Sequence, residues 1–263
     1  MGAVENDPVI TMRKMALPGA AGVGFLAMWE AAWRAPLVDP LFFSGPSAVA
    51  QRLWHLMAGG EIVGHYWMTM YSAGIGLVVA LALAVPVGIL YGLWPGLRNV
   101  TGPYFAALNA MPRVALIPLL TVWFGLGVTT RVVMVAISAF FPIFFNAVEG
   151  VRGVDPSLDR AGRVFGCTPW ERVRLIVLPA ALPHIFIGMR LAIGRGLIVI
   201  IVAEIFVGSL GGIGFFIISA GQNFHAADIF ASAVLLAATG LVATWAVERI
   251  GARLSPWHEQ TTL

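Results

Sequence analysis

Four charged side chains interrupt long apolar stretches of this sequence: Arg113, Arg190, Arg195 and Glu204. A charge at the centre of such a stretch costs roughly 2.5 to 3.5 kcal/mol on insertion scales, so it is retained where it faces a polar cavity or a partner. An arginine in that setting can attract an anion, and an arginine paired with a carboxylate can form a gate. Arg113 follows Pro112, inside an apolar run that starts near Pro103. The missing N–H of the proline would leave a backbone carbonyl that also needs a partner. Two readings stay open. Either Arg113 faces a pathway for an anionic solute, with Glu204 as a candidate partner, or residues 98–112 lie along the membrane surface and Arg113 snorkels as an anchor. Arg190 and Arg195 stand near the start of their run and read as snorkelling structural charges. Asn109 and Ser138 either line the same pathway or satisfy helix backbone groups. Glu204 either contacts solute or bonds to neighbouring helices.

None of the familiar catalytic motifs accompanies these residues. The sequence has no His-Glu-x-x-His zinc motif, no Gly-x-Ser-x-Gly elbow and no paired Asp-rich diphosphate site, which argues against an intramembrane enzyme. Gly211-Gly212-Ile213-Gly214 lacks the Lys-Ser or Lys-Thr of a phosphate loop, so no nucleotide site is expected. Cys167 is the only cysteine, which excludes an internal disulfide and a Cys/His zinc framework. No metal site is expected.

The longest polar insertion, residues 150–183, carries a second kind of signal. Asp155-Pro156 offers an N-cap followed by Pro at the first helical position, and Gly166 can close the helix in a left-handed conformation. This predicts a helix from about Pro156 to Phe165, with Leu158, Ala161, Gly162 and Phe165 on one apolar stripe. Thr168-Pro169-Trp170-Glu171 has capping-box spacing, and Pro179 should end the second helix near Leu178. A helix, a glycine turn and a second helix make either a knob that seats in a cleft or a solvated loop cap.

These segments must be positioned by membrane helices. The chain has 263 residues, 59% hydrophobic and 11% charged, with a mean hydropathy of +0.87; soluble domains carry roughly 25% charged residues. Apolar runs of spanning length predict six transmembrane helices: about Ala16 to Trp33, Trp67 to Leu93, Pro103 to Phe124, Val132 to Val148, Ile185 to Leu210 and Ile229 to Ile250. The first run exceeds the usual signal-peptide core of about 7 to 15 residues and reads as a helix that stays. Val49, Leu53 and Leu56 recur at helical spacing beside Gln51 and Arg52, as in a short interfacial or loop helix. Gly74, Gly76 and Gly88 should let helices approach closely. The net charge of +3 is too small to imply nucleic acid. Basic residues place both termini in the cytoplasm: Arg13, Lys14, Arg98, Arg152, Arg160, Arg163, Arg172, Arg174, Arg249 and Arg253 fall on one side, and Arg34, Arg52 and Arg131 on the other.

Gly166, nine residues, then Ile176-Val177-Leu178-Pro179 resembles half of the EAA loop of permease subunits in bacterial ABC importers. Trp123-Phe124-Gly125, Phe141-Pro142, Leu178-Pro179-Ala180-Ala181-Leu182-Pro183, Gly188-Met189-Arg190 and Ala203-Glu204, together with Pro112, Ala115 and Pro118, are similar to the nitrate/sulfonate/taurine branch over about residues 40–245. The resemblance implies an all-α, MetI-like permease fold in one transmembrane domain, residues 1–263, in the bacterial inner membrane. It also implies a homodimer, two cytoplasmic ATPase subunits that bind ATP and Mg, a periplasmic or lipid-anchored substrate-binding protein, and no cofactor in this chain. Asp159, Arg160, Ala161, Gly162, Gly166, Ile176, Leu178 and Pro179 would then form the ATPase-coupling element. The family's Glu-Ala-Ala is replaced by Arg160-Ala161-Gly162, and Asp159, one residue away, is rotated by about 100° on a helix and does not simply substitute. The implied solute is a nitrate, sulfonate or carboxylate anion, with a pyrimidine vitamin precursor as an alternative. A secondary carrier is a further rival, but it would have no use for the insertion.

Overall fold

The computed structural model describes residues 8–35, 38–207 and 211–256, which contain helices and turns and no strand. The expected end of the fifth span at Leu210, and the side chains of Arg13 and Lys14, lie outside the described residues. The chain divides into two compact units, Met1–Glu61 with Ile217–Leu235 and Ile62–Phe216 with Leu236–Leu263.

The helices are α1 (Pro8–Arg34), α2 (Pro46–Ala58), α3 (Val63–Leu93), α4 (Pro95–Ala110), α5 (Ile117–Phe124), α6 (Val128–Arg152), α7 (Pro156–Val164), α8 (Pro169–Arg172), α9 (Leu178–Val207), α10 (Ile213–Gln222) and α11 (Ala226–Leu254). Among the described residues, four helical stretches are long and apolar enough to cross a membrane: α3, α6, Pro169–Phe206 and α11. A fifth arises if Pro95–Ala110 and Arg113–Phe124 are taken together, although they meet at a bend of 86°. The expected count of six is therefore not reached, and α1, helical as anticipated, is not among the four.

The expected third span, Pro103 to Phe124, is broken. Pro112 disfavours the helical region for the residue before it, and Met111 is extended, with φ −64° and ψ 133°. A 3₁₀ turn, Arg113–Leu116, restarts the chain in a new direction. The proline at 112 consequently interrupts no continuous helix.

The larger unit is organised around α3, α6 and α9. Ala80, Ala84 and Tyr91 of α3 pack with Ala139, Ile143, Phe144 and Val148 of α6 and Ala192 of α9. Phe105 stacks on Phe144 with ring centroids 4.6 Å apart. Small residues set the spacing: a β-carbon at Gly76 or Gly88 would meet α6 at less than 3 Å, whereas Gly74 faces open space and is not a contact glycine.

In the smaller unit, α2 buries Val49 and Leu56. Arg52, expected from the sequence on a short interfacial or loop helix, bonds both oxygens of Asp228 at the start of α11. The pair lines a cavity of about 410 Å³ with Trp33, Phe43, Phe224 and His225.

Candidate functional site

The insertion forms largely as its capping residues dictate. The Asp155 side chain accepts from the Ser157 N–H at 2.7 Å, and α7 runs to Val164, one residue short of the expected end. Gly166 adopts φ +79°, the left-handed conformation that a side chain disfavours. Thr168 and Glu171 complete the capping box, each side chain bonded to the other's backbone N–H.

Past that point the sequence reading fails. Pro179 does not end the second helix: residues Val173–Val177 form a π turn, the Leu178 N–H donates to the Val173 carbonyl five residues back, and α9 continues through Pro179. The wider turn accommodates a residue that has no N–H to offer and whose ring would clash in a regular helix. Pro169–Phe206 is thereby a single 38-residue helical stretch.

The charges of the insertion divide into two groups. Asp159 accepts from Arg163 at 2.6 Å and from Arg172 at 2.6 Å, and these two hydrogen bonds, assisted by the adjacent positive charges, hold its carboxyl below the usual carboxylate range. Asp159 is thus spent on tying α7 to α8. Gly162 is buried where a β-carbon would lie 2.7 Å from Ile176, so α7 sits closely against the π turn. Arg160 and Ala161 are exposed, as are Leu158 and Phe165, the latter at 85%. The expected stripe is therefore only partly a packing face; most of it points outward. Ile176 packs on Gly162, while Leu178 and Pro179 open α9.

Of the four candidate pathway residues, the structure brings two together. Arg113 donates to the Asn109 side chain at 2.8 Å and to the Asn109 carbonyl at 3.1 Å, and its guanidinium lies over the Phe141 ring at 5.3 Å. It thereby satisfies a carbonyl left open by the end of α4. Its Nε is buried without a hydrogen-bond partner among the described residues. Ser138 is buried in α6. Arg190 meets Glu248 of α11 at 2.8 Å, in keeping with a structural charge.

Glu204 does not pair with Arg113. Among the described residues its ion-pair partner is Arg131, at 3.8 Å, and both side chains are 0% exposed. Arg131, expected just outside the span that starts at Val132, lies within α6. The Thr69 hydroxyl of α3 is 2.8 and 3.0 Å from the two Glu204 oxygens, and the Gly214 N–H donates to Oε2 at 2.8 Å. The Ile213 N–H donates to Thr69 Oγ1 at 2.8 Å, and the Gly212 N–H to His65 Nδ1 at 3.1 Å. Three successive N–H groups at the start of α10 are thus capped by side chains of α3 and α9. Gly212, at φ +107°, presses so closely on Glu204 that an added β-carbon would lie 2.3 Å from its carboxyl carbon.

The family profile described as "Binding-protein-dependent transport system inner membrane component" matches residues 84–257. The chain belongs to this family. Its relatives include a putative aliphatic sulfonates transport permease of Bacillus subtilis, 29% identical over 94% of this chain and 88% of that protein. A taurine transport system permease of Escherichia coli is 28% identical over 89% and 86%, and a bicarbonate transport system permease of Synechococcus elongatus is 32% identical over 92% and 88%. Among solved structures, an inward-facing methionine ABC transporter matches at a TM-score of 0.63 with 22% identity, over 73% of this chain and 95% of that one, which supports the fold.

The protein is accordingly a multi-pass inner-membrane permease subunit of an ABC transporter and not an enzyme; permeases of this family work with ATPase and substrate-binding partners. Within this permease, the sequence did not announce His65, Thr69 or Arg131. A signal did exist for Arg131: Val132, Val133 and Met134 continue the apolar run without a turn residue, so the arginine stood at the edge of a span, not in a loop.

Proposed function

We propose that the chain forms, with a second copy of itself, the pathway of an ATP-driven importer of small anions. The reading is carried by the three relatives named for sulfonates, taurine and bicarbonate, whose solutes share a compact acidic group. Arg113 supports it: a guanidinium oriented by Asn109 and Phe141, with Nε still unpartnered, offers a fixed positive charge to an oxyanion. The assembly would contain two cytoplasmic ATPase subunits, which bind ATP and Mg, and a substrate-binding protein on the opposite face. Both termini of the single permease domain would be cytoplasmic, as the arginine distribution supports. Residues 150–183 would dock on the ATPase through exposed Leu158, Ala161 and Phe165, with Arg160 reaching an acidic or carbonyl-lined part of its cleft.

Uptake of labelled taurine and bicarbonate into proteoliposomes holding the permease, its ATPase and its binding protein tests this. Uptake of either that requires internal ATP is expected, and Arg113→Leu should lower it at least tenfold with the complex intact. ATP-independent uptake would overturn the importer reading, and uptake of a pyrimidine in place of both anions would overturn the solute class. Unchanged uptake by Arg113→Leu would leave Arg113 as an interfacial anchor.

A further inference from the structure

Glu204 and Arg131 are both fully buried, yet their hydrogen bonding is lopsided. The carboxylate is bonded by Thr69 and by the Gly214 N–H, while Nε and both terminal nitrogens of Arg131 have no hydrogen-bond partner among the described residues. A buried guanidinium left without hydrogen bonds is costly, and such a group in a native structure calls for an explanation. Its ion-pair partner stands 3.8 Å away, whereas a charge-assisted hydrogen bond forms at about 2.7 to 2.9 Å. A displacement of about 1 Å would therefore bring the carboxylate onto Arg131. A shift of that size away from Gly214 and Thr69 would stretch their 2.8 Å bonds to about 3.8 Å, beyond hydrogen-bond range.

The two positions compete on comparable terms. At the start of α10 the carboxylate meets aligned N–H groups, equivalent to roughly half a positive charge. At Arg131 it meets a full charge but gives up its present hydrogen bonds. The charge is matched in both, so exchange needs no proton.

We propose that Glu204 and Arg131 are positioning residues for transport, Arg131 being a second seat for the Glu204 carboxylate. In the seat seen here, Glu204 and Thr69 clamp residues 212–214 to α3 and α9. In the second seat, Arg131 takes the carboxylate and the 212–214 turn is released. Packed interfaces change between discrete arrangements, and a clamp with two seats provides such a pair. This proposal rests on the transport reading.

Hydrogen–deuterium exchange of the permease–ATPase complex in nanodiscs tests it, comparing the resting complex with one trapped by ATP and vanadate. The amides of 212–214 should be protected at rest and exchange at least tenfold faster when trapped. The charge-neutral double variant Glu204→Gln/Arg131→Gln, which keeps an acceptor for Gly214, should exchange equally in both conditions. Should that variant fail to assemble, Thr69→Val decides: by weakening the first seat it should raise resting exchange towards the trapped level. Equal exchange in the two states of the parent complex, a state difference retained by the double variant, or unchanged resting exchange in Thr69→Val would each overturn the exchange of seats. A complex that does not hydrolyse ATP would overturn the transport reading, and this one with it; hydrolysis with unchanged exchange overturns this one alone.

Discussion

The insertion at 150–183 and the cluster around Glu204 are both held by charges and caps, but they are built on different scales. In the insertion the caps and ion pairs are local: Asp155 to Ser157, Thr168 to Glu171, and Asp159 to Arg163 four residues on and Arg172 thirteen residues on. In the cluster only the Gly214–Glu204 bond, ten residues apart, is comparably local; Thr69 and Glu204 are 135 residues apart, and α3, α6, α9 and the start of α10 must all be in place before the whole set can form. Local construction lets the α7–α8 knob form within a short, solvent-reached stretch of chain, although Val151, Val177 and Ala181 at the ends of the insertion are buried with Ala147 and Ile185. The cluster is formed only by the finished helical packing.

That contrast predicts how each region breaks. The largest effect should follow Arg131→Leu, which strands the buried Glu204 carboxylate without its counter-charge. Truncating one partner of a buried pair costs about 3 to 5 kcal/mol. The expected result is a large fall in the thermal midpoint of the detergent-solubilised chain. The neutral double variant should recover most of it, and failure to recover would show that the two side chains contribute independently. A smaller and confined effect is expected of Gly166→Val. A branched side chain at φ +79° costs roughly 1 to 2 kcal/mol, with no collision to add because nothing lies within 4 Å. Membrane insertion should be unchanged while stimulation of the partner ATPase falls. Loss of the folded membrane core on this change would show that the turn at Gly166 is not separable from the helical packing.

The smallest effect concerns acid. Because hydrogen bonds from Arg163 and Arg172 hold the Asp159 carboxyl below its ordinary range, the α7–α8 tie is fully present above about pH 4 and is lost as pH falls through the lowered value. The side chain is 32% exposed, so solvent screens much of the gain. Proteolysis of the insertion should rise modestly on acidification through that window, and Asp159→Asn should show the faster cleavage already at neutral pH. An identical acid step in Asp159→Asn would assign the change to another carboxyl.

Legibility in the sequence follows the same division. The N-cap at Asp155, the turn at Gly166 and the box at Thr168 were readable because a cap is specified within about four residues. Arg131 was misread as a charge just outside its span, since nothing in its own neighbourhood names Glu204. The bend at Met111–Pro112 was hidden by apolar residues on both sides, although the restriction a proline imposes on its predecessor was in plain view. Pro179 misled in the opposite direction: the rule that proline ends a helix presumes a four-residue hydrogen-bond spacing, and the π turn supplies five. The family likeness was legible throughout, because it rests on strings such as Leu178-Pro179-Ala180-Ala181-Leu182-Pro183 and not on three-dimensional proximity.

The π turn at 173–177 has a mechanical meaning as well. It joins the end of the insertion to α9, so the chain stays helical through Pro179. The result is a connecting rod of 38 residues, about 57 Å long at the helical rise, with Trp170 near one end and Glu204 near the other. A continuous helix carries a tilt at one end to the other, with a displacement that grows with its length. A push too slight to disturb the capping box could then still exceed the displacement of about 1 Å that would bring the Glu204 carboxylate, now 3.8 Å away, onto Arg131.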